Sequence, residues 1–166
     1  MTDALKTVPP SPFTLLLRVR YGECDAQHVV FNARYGDYAD IAMNEFLRVL
    51  VGGYDKLLAA GMDTQVVRLE TDFRSPARFD EVLAVTVETA SIGNTSFALT
   101  MQMALYPSGR PVATTTATYV LVTAKTHQKM RVPDDMRSLL QAGAPGLVVN
   151  HAGLTLPEAP QNHRST

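Results

Sequence analysis

The chain has 166 residues, 46% of them hydrophobic and 19% charged, with a formal net charge of -1. That is the length of about one domain and the composition of an ordinary globular protein, and without a surplus of Lys or Arg it excludes a nucleic-acid surface built on bulk charge. The single cysteine, Cys24, excludes an internal disulfide and fits a reducing, cytoplasmic setting.

The opening segment "MTDALKTVPPSPF" lacks the apolar core of a secretory signal, and no run approaches the roughly 18 apolar residues of a membrane span. Neither export nor anchoring is expected. Residues 1–12 read as a flexible, Pro-rich leader. Over 13–21 ("FTLLLRVRY"), Leu15, Leu17, Val19 and Tyr21 alternate with Leu16, Arg18 and Arg20, the period of a strand.

From Ala33 the period lengthens. Tyr35, Tyr38, Ala39, Ala42, Phe46 and Val49 recur at steps of three and four against Arg34, Asp37, Asp40, Asn44, Glu45 and Arg48. This is an amphipathic helix, with Asn32 as N-cap and Gly52-Gly53 as its stop. A brief helical piece over 55–60 ends at Gly61. Alternation then returns over 65–74, where Val67, Leu69, Thr71 and Phe73 form one row, and again over 81–90, 97–105 and 110–123, each run separated by turn residues. A last helix is expected at 133–141, with Pro133 in its first turn and Asp134 and Asp135 at its positive end. Residues 143–166 carry no periodicity and read as a loosely held tail, which leaves 13–142 as the folded domain.

The order of strand, long helix and four consecutive antiparallel strands predicts an α+β fold in which one sheet covers one helix. Such a sheet has open edges and too much apolar surface for one helix, so association through an edge strand is expected.

Three segments carry a resemblance: "RVRYGECDAQHVVFNARYGDYADIAMNEFLR", "VVRLETDFRSPARFDEVLAV" and "ATYVLVTAKTHQKMRVPDDMRSLL". Together, and in this order across about 13–140, they resemble the hotdog-fold acyl-CoA thioesterases of the 4-hydroxybenzoyl-CoA thioesterase type, including the bacterial Tol–Pal-associated branch. The resemblance implies an antiparallel sheet wrapped around the long helix, a homodimer or homotetramer with sites between subunits, an acyl-CoA substrate and no cofactor. It also implies that Asp25, in "GECDAQ", attacks the thioester carbonyl or activates a water, and that the peptide N–H at Asn32 binds the carbonyl oxygen.

Physical chemistry supports this pairing, because thioester cleavage needs an oxygen nucleophile and a positive pole for the oxyanion, and a helix start supplies unpaired N–H groups and dipole. His28 is a candidate for orienting Asp25 or the water, or else a solvated loop histidine. Glu23 reads as a surface or ion-pair residue. Cys24, flanked by two acids, is disfavoured as a nucleophile and reads as packing.

Tyr35 is a core residue close enough to line an acyl pocket. Ser75 is a turn residue or a positioning group for the thioester, and Arg74, Arg78, Lys125, Lys129 and Arg131 are the cations available to CoA phosphates. No metal site is expected, because Asp25 and His28 have no third ligand nearby and His127, His151 and His163 lie far away in sequence. The G-x-S-x-G nucleophile elbow is absent, as are phosphate-cradling glycine motifs. A hotdog acyl-CoA hydratase or dehydratase and a non-catalytic acyl-CoA-binding protein are the alternatives.

Overall fold

A computed structural model describes residues 11–156; the start of the leader and the end of the tail lie outside the described residues. The elements run β1 (Phe13–Arg18), a 3-10 turn (Tyr21–Glu23), α1 (Arg34–Val51), α2 (Tyr54–Ala59), β2 (Met62–Phe73), β3 (Val82–Ile92), β4 (Ser96–Tyr106), β5 (Pro111–Thr123), α3 (Asp134–Ala142) and β6 (Val148–Asn150). One sheet of order β2-β5-β4-β3-β1-β6 wraps α1, which is the expected hotdog fold. Neighbouring strands are antiparallel except for β1 and β6, which run parallel.

The alternation seen in the sequence decides which residues meet the helix. Leu15 and Leu17 of β1, Leu83 and Val85 of β3, and Phe97, Leu99, Met101 and Met103 of β4 are buried on the inner face. They pack on Tyr38, Ala42, Met43, Phe46 and Leu47 of α1, with the rings of Phe13 and Phe46 5.5 Å apart. Each large side chain fully withdrawn from water here contributes about 1.5–3 kcal/mol before conformational entropy is charged against it.

The buried stripe on α1 leaves the expected row at its end. Leu47 is inside and Val49 is 36% exposed, because the 3.6-residue period carries position 49 off the sheet-facing side. Gly52 ends the helix in the left-handed conformation at φ 88°, its N–H reaching Arg48 O.

Asn32 is not the N-cap. Ala33 occupies that position with helical dihedrals, and no side chain caps the helix. The chain enters α1 through a tight turn, with Arg34 N–H bonded to Phe31 O at 2.9 Å, Tyr35 N–H to Asn32 O at 3.4 Å and Gly36 N–H to Ala33 O at 3.3 Å. Backbone carbonyls three residues back thus take the donors that a capping side chain would otherwise satisfy.

β2 also departs from its expected pattern. A β-bulge between Val66 and Arg68 inserts Val67, so Val66 pairs with Tyr119 while Leu69, Thr71 and Phe73 oppose Ala117, Thr115 and Ala113. Val66, not Val67, therefore continues the inward row of Leu69, Thr71 and Phe73. β2 is an edge strand of 12 residues, and Val66, Val67, Leu69 and Phe73 are all more than half exposed.

The expectation of a structureless segment from 143 needs correction across its described part. β6 adds to β1, and the chain after it folds over the outer face of the sheet. There Ala152, Leu154 and Leu156 cover Leu16, Val82 and Ala84, the outward residues of β1 and β3. Asn150 organises the strap, its Oδ1 accepting from Ala152 N–H at 3.1 Å and its amide donating to Leu154 O at 2.6 Å. Leu16, set on the polar row of β1, was the sequence sign that this face would be covered. Among the described residues no helix is long and apolar enough to cross a membrane.

Candidate active site

Between β1 and α1 the chain makes a closed loop. Cys24 and Val30 form an antiparallel bridge, Asp25 N–H bonds Val29 O at 2.9 Å and His28 N–H bonds Asp25 O at 2.9 Å. Val30 N–H is held by Ala77 O at 2.8 Å and Phe31 N–H by Glu23 O at 2.9 Å, which fix the loop to the β2–β3 turn and to the 3-10 turn.

Asp25 is half-buried. Its Oδ1 accepts from Gln27 N–H at 2.8 Å, a side-chain turn that fixes the carboxylate. Its Oδ2 has no partner among the described residues. Asp25 and Asn32 line one depression together with Val30 and Phe31. Neither the Asn32 nor the Ala33 N–H donates to an acceptor among the described residues, and of these two residues Asn32 lines that depression.

A second depression shares Asn32 and adds Tyr35, Phe73, Arg74 and Ser75. Of the expected site residues, the structure thus brings Asp25 to Asn32, and Asn32 to Tyr35, Arg74 and Ser75. It does not bring in His28, which is exposed, lies outside both linings and occupies the left-handed region at φ 61°.

Tyr35 is 3% exposed, with its ring edge-on to Phe73 at 5.3 Å; burial raises its hydroxyl pKa, so it stays protonated. The Ser75 hydroxyl is committed: it donates to Pro111 O at 2.6 Å and accepts from Arg110 Nη1 at 2.5 Å. Arg110, which sequence reading missed, also donates to Pro76 O at 3.1 Å and holds this turn in shape. Nothing local in "PSGRPV" marks it, since its partners lie 34 and 35 residues away.

Glu23 is the ion-pair residue expected, bonded to Arg20, but it is buried rather than on the surface. It is 8% exposed, and its carboxylate accepts from Arg20 N–H at 2.7 Å, Arg20 Nε at 2.8 Å and the Tyr38 hydroxyl at 2.7 Å. Burial pushes its pKa up, but the bonds from the Arg20 backbone, Tyr38 and the Arg20 guanidinium outweigh this and hold it below the usual carboxylate range. The i,i+3 spacing of Arg20 and Glu23 was the available signal for the ion pair; Tyr38, 15 residues on, was beyond it. Glu23 ties the loop to α1 and leaves Asp25 as the acid facing the depression. Among the described residues, no three His, Cys, Asp or Glu side chains gather as a metal site would require.

A family model described as the thioesterase-like superfamily matches residues 19–140. The chain is 25% identical over 125 residues to the long-chain acyl-CoA thioesterase FadM of Escherichia coli strain K12, covering 75% of this chain and 94% of that protein. It is 30% identical over 87 residues to the acyl-CoA thioester hydrolase YbgC of Escherichia coli O6:H1, covering 52% of this chain and 65% of that one, slightly under two thirds. Among solved structures, a thioesterase-superfamily protein from Jannaschia sp. CCS1 superimposes with a TM-score of 0.75 at 24% identity, over 85% of this chain and 99% of that one.

Proposed function

Because the chain belongs to the thioesterase-like superfamily, we propose that it hydrolyses an acyl-CoA thioester to a carboxylic acid and free CoA. Within the superfamily we assign it to the 4-hydroxybenzoyl-CoA thioesterase-like branch related to the Tol–Pal-associated enzymes, acting in the cytoplasm. The observation that supports the reading is the depression lined by both Asp25 and Asn32, of which the Asp25 Oδ2 and the Asn32 N–H have no partner among the described residues.

Those are the two poles that acyl transfer needs. The thioester carbonyl oxygen docks on the Asn32 N–H, where the start of α1 adds positive potential, and its carbon faces Asp25. In the direct route Oδ2 of Asp25 bonds to that carbon, the C–S pair leaves with CoA as thiolate, and water then cleaves the mixed anhydride. In the water route Asp25 takes a proton from a water whose oxygen forms the new bond, and the tetrahedral adduct expels the same thiolate. In both, the negative charge passes through the oxygen held at Asn32. Tyr35 and Phe73 offer an apolar wall for the acyl group, and Arg74 a cation beside it.

Phe73 lines the site and ends the open edge strand β2, which also exposes Val66, Val67 and Leu69. We assign a homodimer formed along this edge, with the acyl chain lying between subunits and a tetramer as the next level of assembly.

The deciding experiment is a free-thiol assay of the purified protein against acyl-CoAs of graded length and aromatic type. Release of CoA from at least one of them is expected, with most of it lost in Asp25→Asn while CoA still binds. A fully active Asp25→Asn variant overturns the mechanism. Hydration of an enoyl-CoA without thiol release, or binding without turnover across the panel, overturns the hydrolase reading.

A further inference from the structure

Tyr21 is the most exposed large apolar or aromatic side chain among the described residues, at 81%, and its ring meets that of Phe79, itself 55% exposed, edge to face at 5.8 Å. Two rings that contact each other while facing solvent gain little from folding, and a cluster of this kind marks a surface that receives something.

The charges around the pair are sorted. Arg78 precedes Phe79, and its guanidinium has no acidic partner among the described residues. The acids of the turn are engaged: Asp80 pairs with Arg18 at 3.3 Å, and Glu81 Oε2 accepts from Arg78 N–H at 2.8 Å. Arg20 beside Tyr21 is bound to Glu23 at 2.7 Å. The surface therefore shows an aromatic pair whose neighbour in the chain, Arg78, is an uncommitted cation among the described residues.

We propose that this surface seats the nucleotide end of the substrate, with adenine stacked on Tyr21 and Phe79 and the phosphates facing Arg78. The inference rests on the acyl-CoA reading of the Asp25 depression and deepens it. Adenine presents a flat π-face that stacks on aromatic rings, and guanidinium groups meet phosphate oxygens in bidentate fashion. Location agrees. Tyr21 begins the 3-10 turn that leads into Asp25, and the turn bearing Phe79 is joined to the catalytic loop by the bond of Val30 N–H to Ala77 O at 2.8 Å and to β1 by the bond of Asp80 N–H to Val19 O at 3.0 Å. A contact between copies of the chain is the competing use of the patch. It would bury the Arg78 guanidinium, whose nearby acids are already committed, which is costly.

The test compares wild type with Tyr21→Ala and Phe79→Ala, both changes at exposed positions, on two substrates carrying one acyl group: the CoA thioester and the pantetheine thioester, which has no nucleotide. For each variant KM for the CoA thioester is expected to rise roughly tenfold with kcat held, while kinetics on the pantetheine thioester stay at wild-type values. Arg78→Gln is expected to raise KM for the CoA thioester and flatten its dependence on salt.

Calorimetric binding of adenosine 3′,5′-bisphosphate gives a readout independent of turnover: wild type binds, and Tyr21→Ala binds at least about fivefold more weakly. Absence of thiol release from any thioester defeats the hydrolase reading alone. Equal effects on both substrates, unchanged bisphosphate binding, or a smaller assembly of Tyr21→Ala by light scattering overturns the nucleotide seat.

Discussion

Glu23 and Asp25 sit two residues apart on one loop, and the protein treats them in opposite ways. The Glu23 side of the loop faces inward, where its carboxylate is 8% exposed and bonded to Arg20 and Tyr38. The Asp25 side faces the depression at the head of α1, with one oxygen fixed by Gln27 N–H and the other free. The carboxylate proposed for catalysis has to be held and yet uncommitted, and a division of labour would meet both demands: Glu23 supplies rigidity, so Asp25 need not spend its second oxygen on structure.

That contrast is broken most directly by Asp25→Asn. The amide oxygen still accepts from Gln27 N–H, so the midpoint of thermal unfolding is expected to stay within about 2 °C of wild type, while kcat/KM for acyl-CoA hydrolysis falls at least about a hundredfold. Thermal unfolding followed by circular dichroism beside a free-thiol assay measures both. Glu23→Ala should do the reverse at the level of cause, costing about 3 kcal/mol of stability by denaturant titration because the buried Tyr38 hydroxyl loses its acceptor and the Arg20 backbone its partner. Activity then declines only as the loop loosens.

Tyr38→Phe removes one of the bonds to Glu23 and is expected to cost about 1–2 kcal/mol with a smaller loss of turnover. Acid sharpens the same comparison. The folded-state pKa of Glu23 lies below its ordinary value of 4.5, so its contribution is complete above the unfolded-state pKa and is lost as pH falls through the folded-state value. Wild type should therefore lose stability more steeply than Glu23→Gln below about pH 4. The smallest effect belongs to His28→Gly. His28 is exposed and held at φ 61°, so glycine should leave thiol release unchanged and shift stability by no more than about 1 kcal/mol. A large loss of turnover in this variant would restore His28 to the chemistry.

The parts of this molecule legible from sequence are those governed by local period. Alternation located β1, β3, β4 and β5, and the three- and four-residue steps located α1, because each records which side of an element meets the core. Features set by partners distant in the chain were not legible. The bulge at Val67 depends on how β2 registers against β5, and β6 depends on β1 being free to accept a parallel neighbour. Tyr38 on Glu23 and Arg110 on Ser75 likewise join residues that sequence spacing does not link. In the candidate site, Asp25 and Asn32 were both named from the sequence and line one depression, whereas the sorting of the loop's acids into one buried and one half-buried required the fold.

The two ends of the sheet are unequal, and this asymmetry bears on growth as well as on stability. At one end the short β6 occupies the side of β1; at the other, β2 offers the open outer edge of a 12-residue strand. If two copies join through β2 about a twofold axis, each sticky end consumes the other and no long template is left exposed. Polymerisation into a fibre would then halt after a single step, with β6, three residues long, leaving only a short edge at the other end.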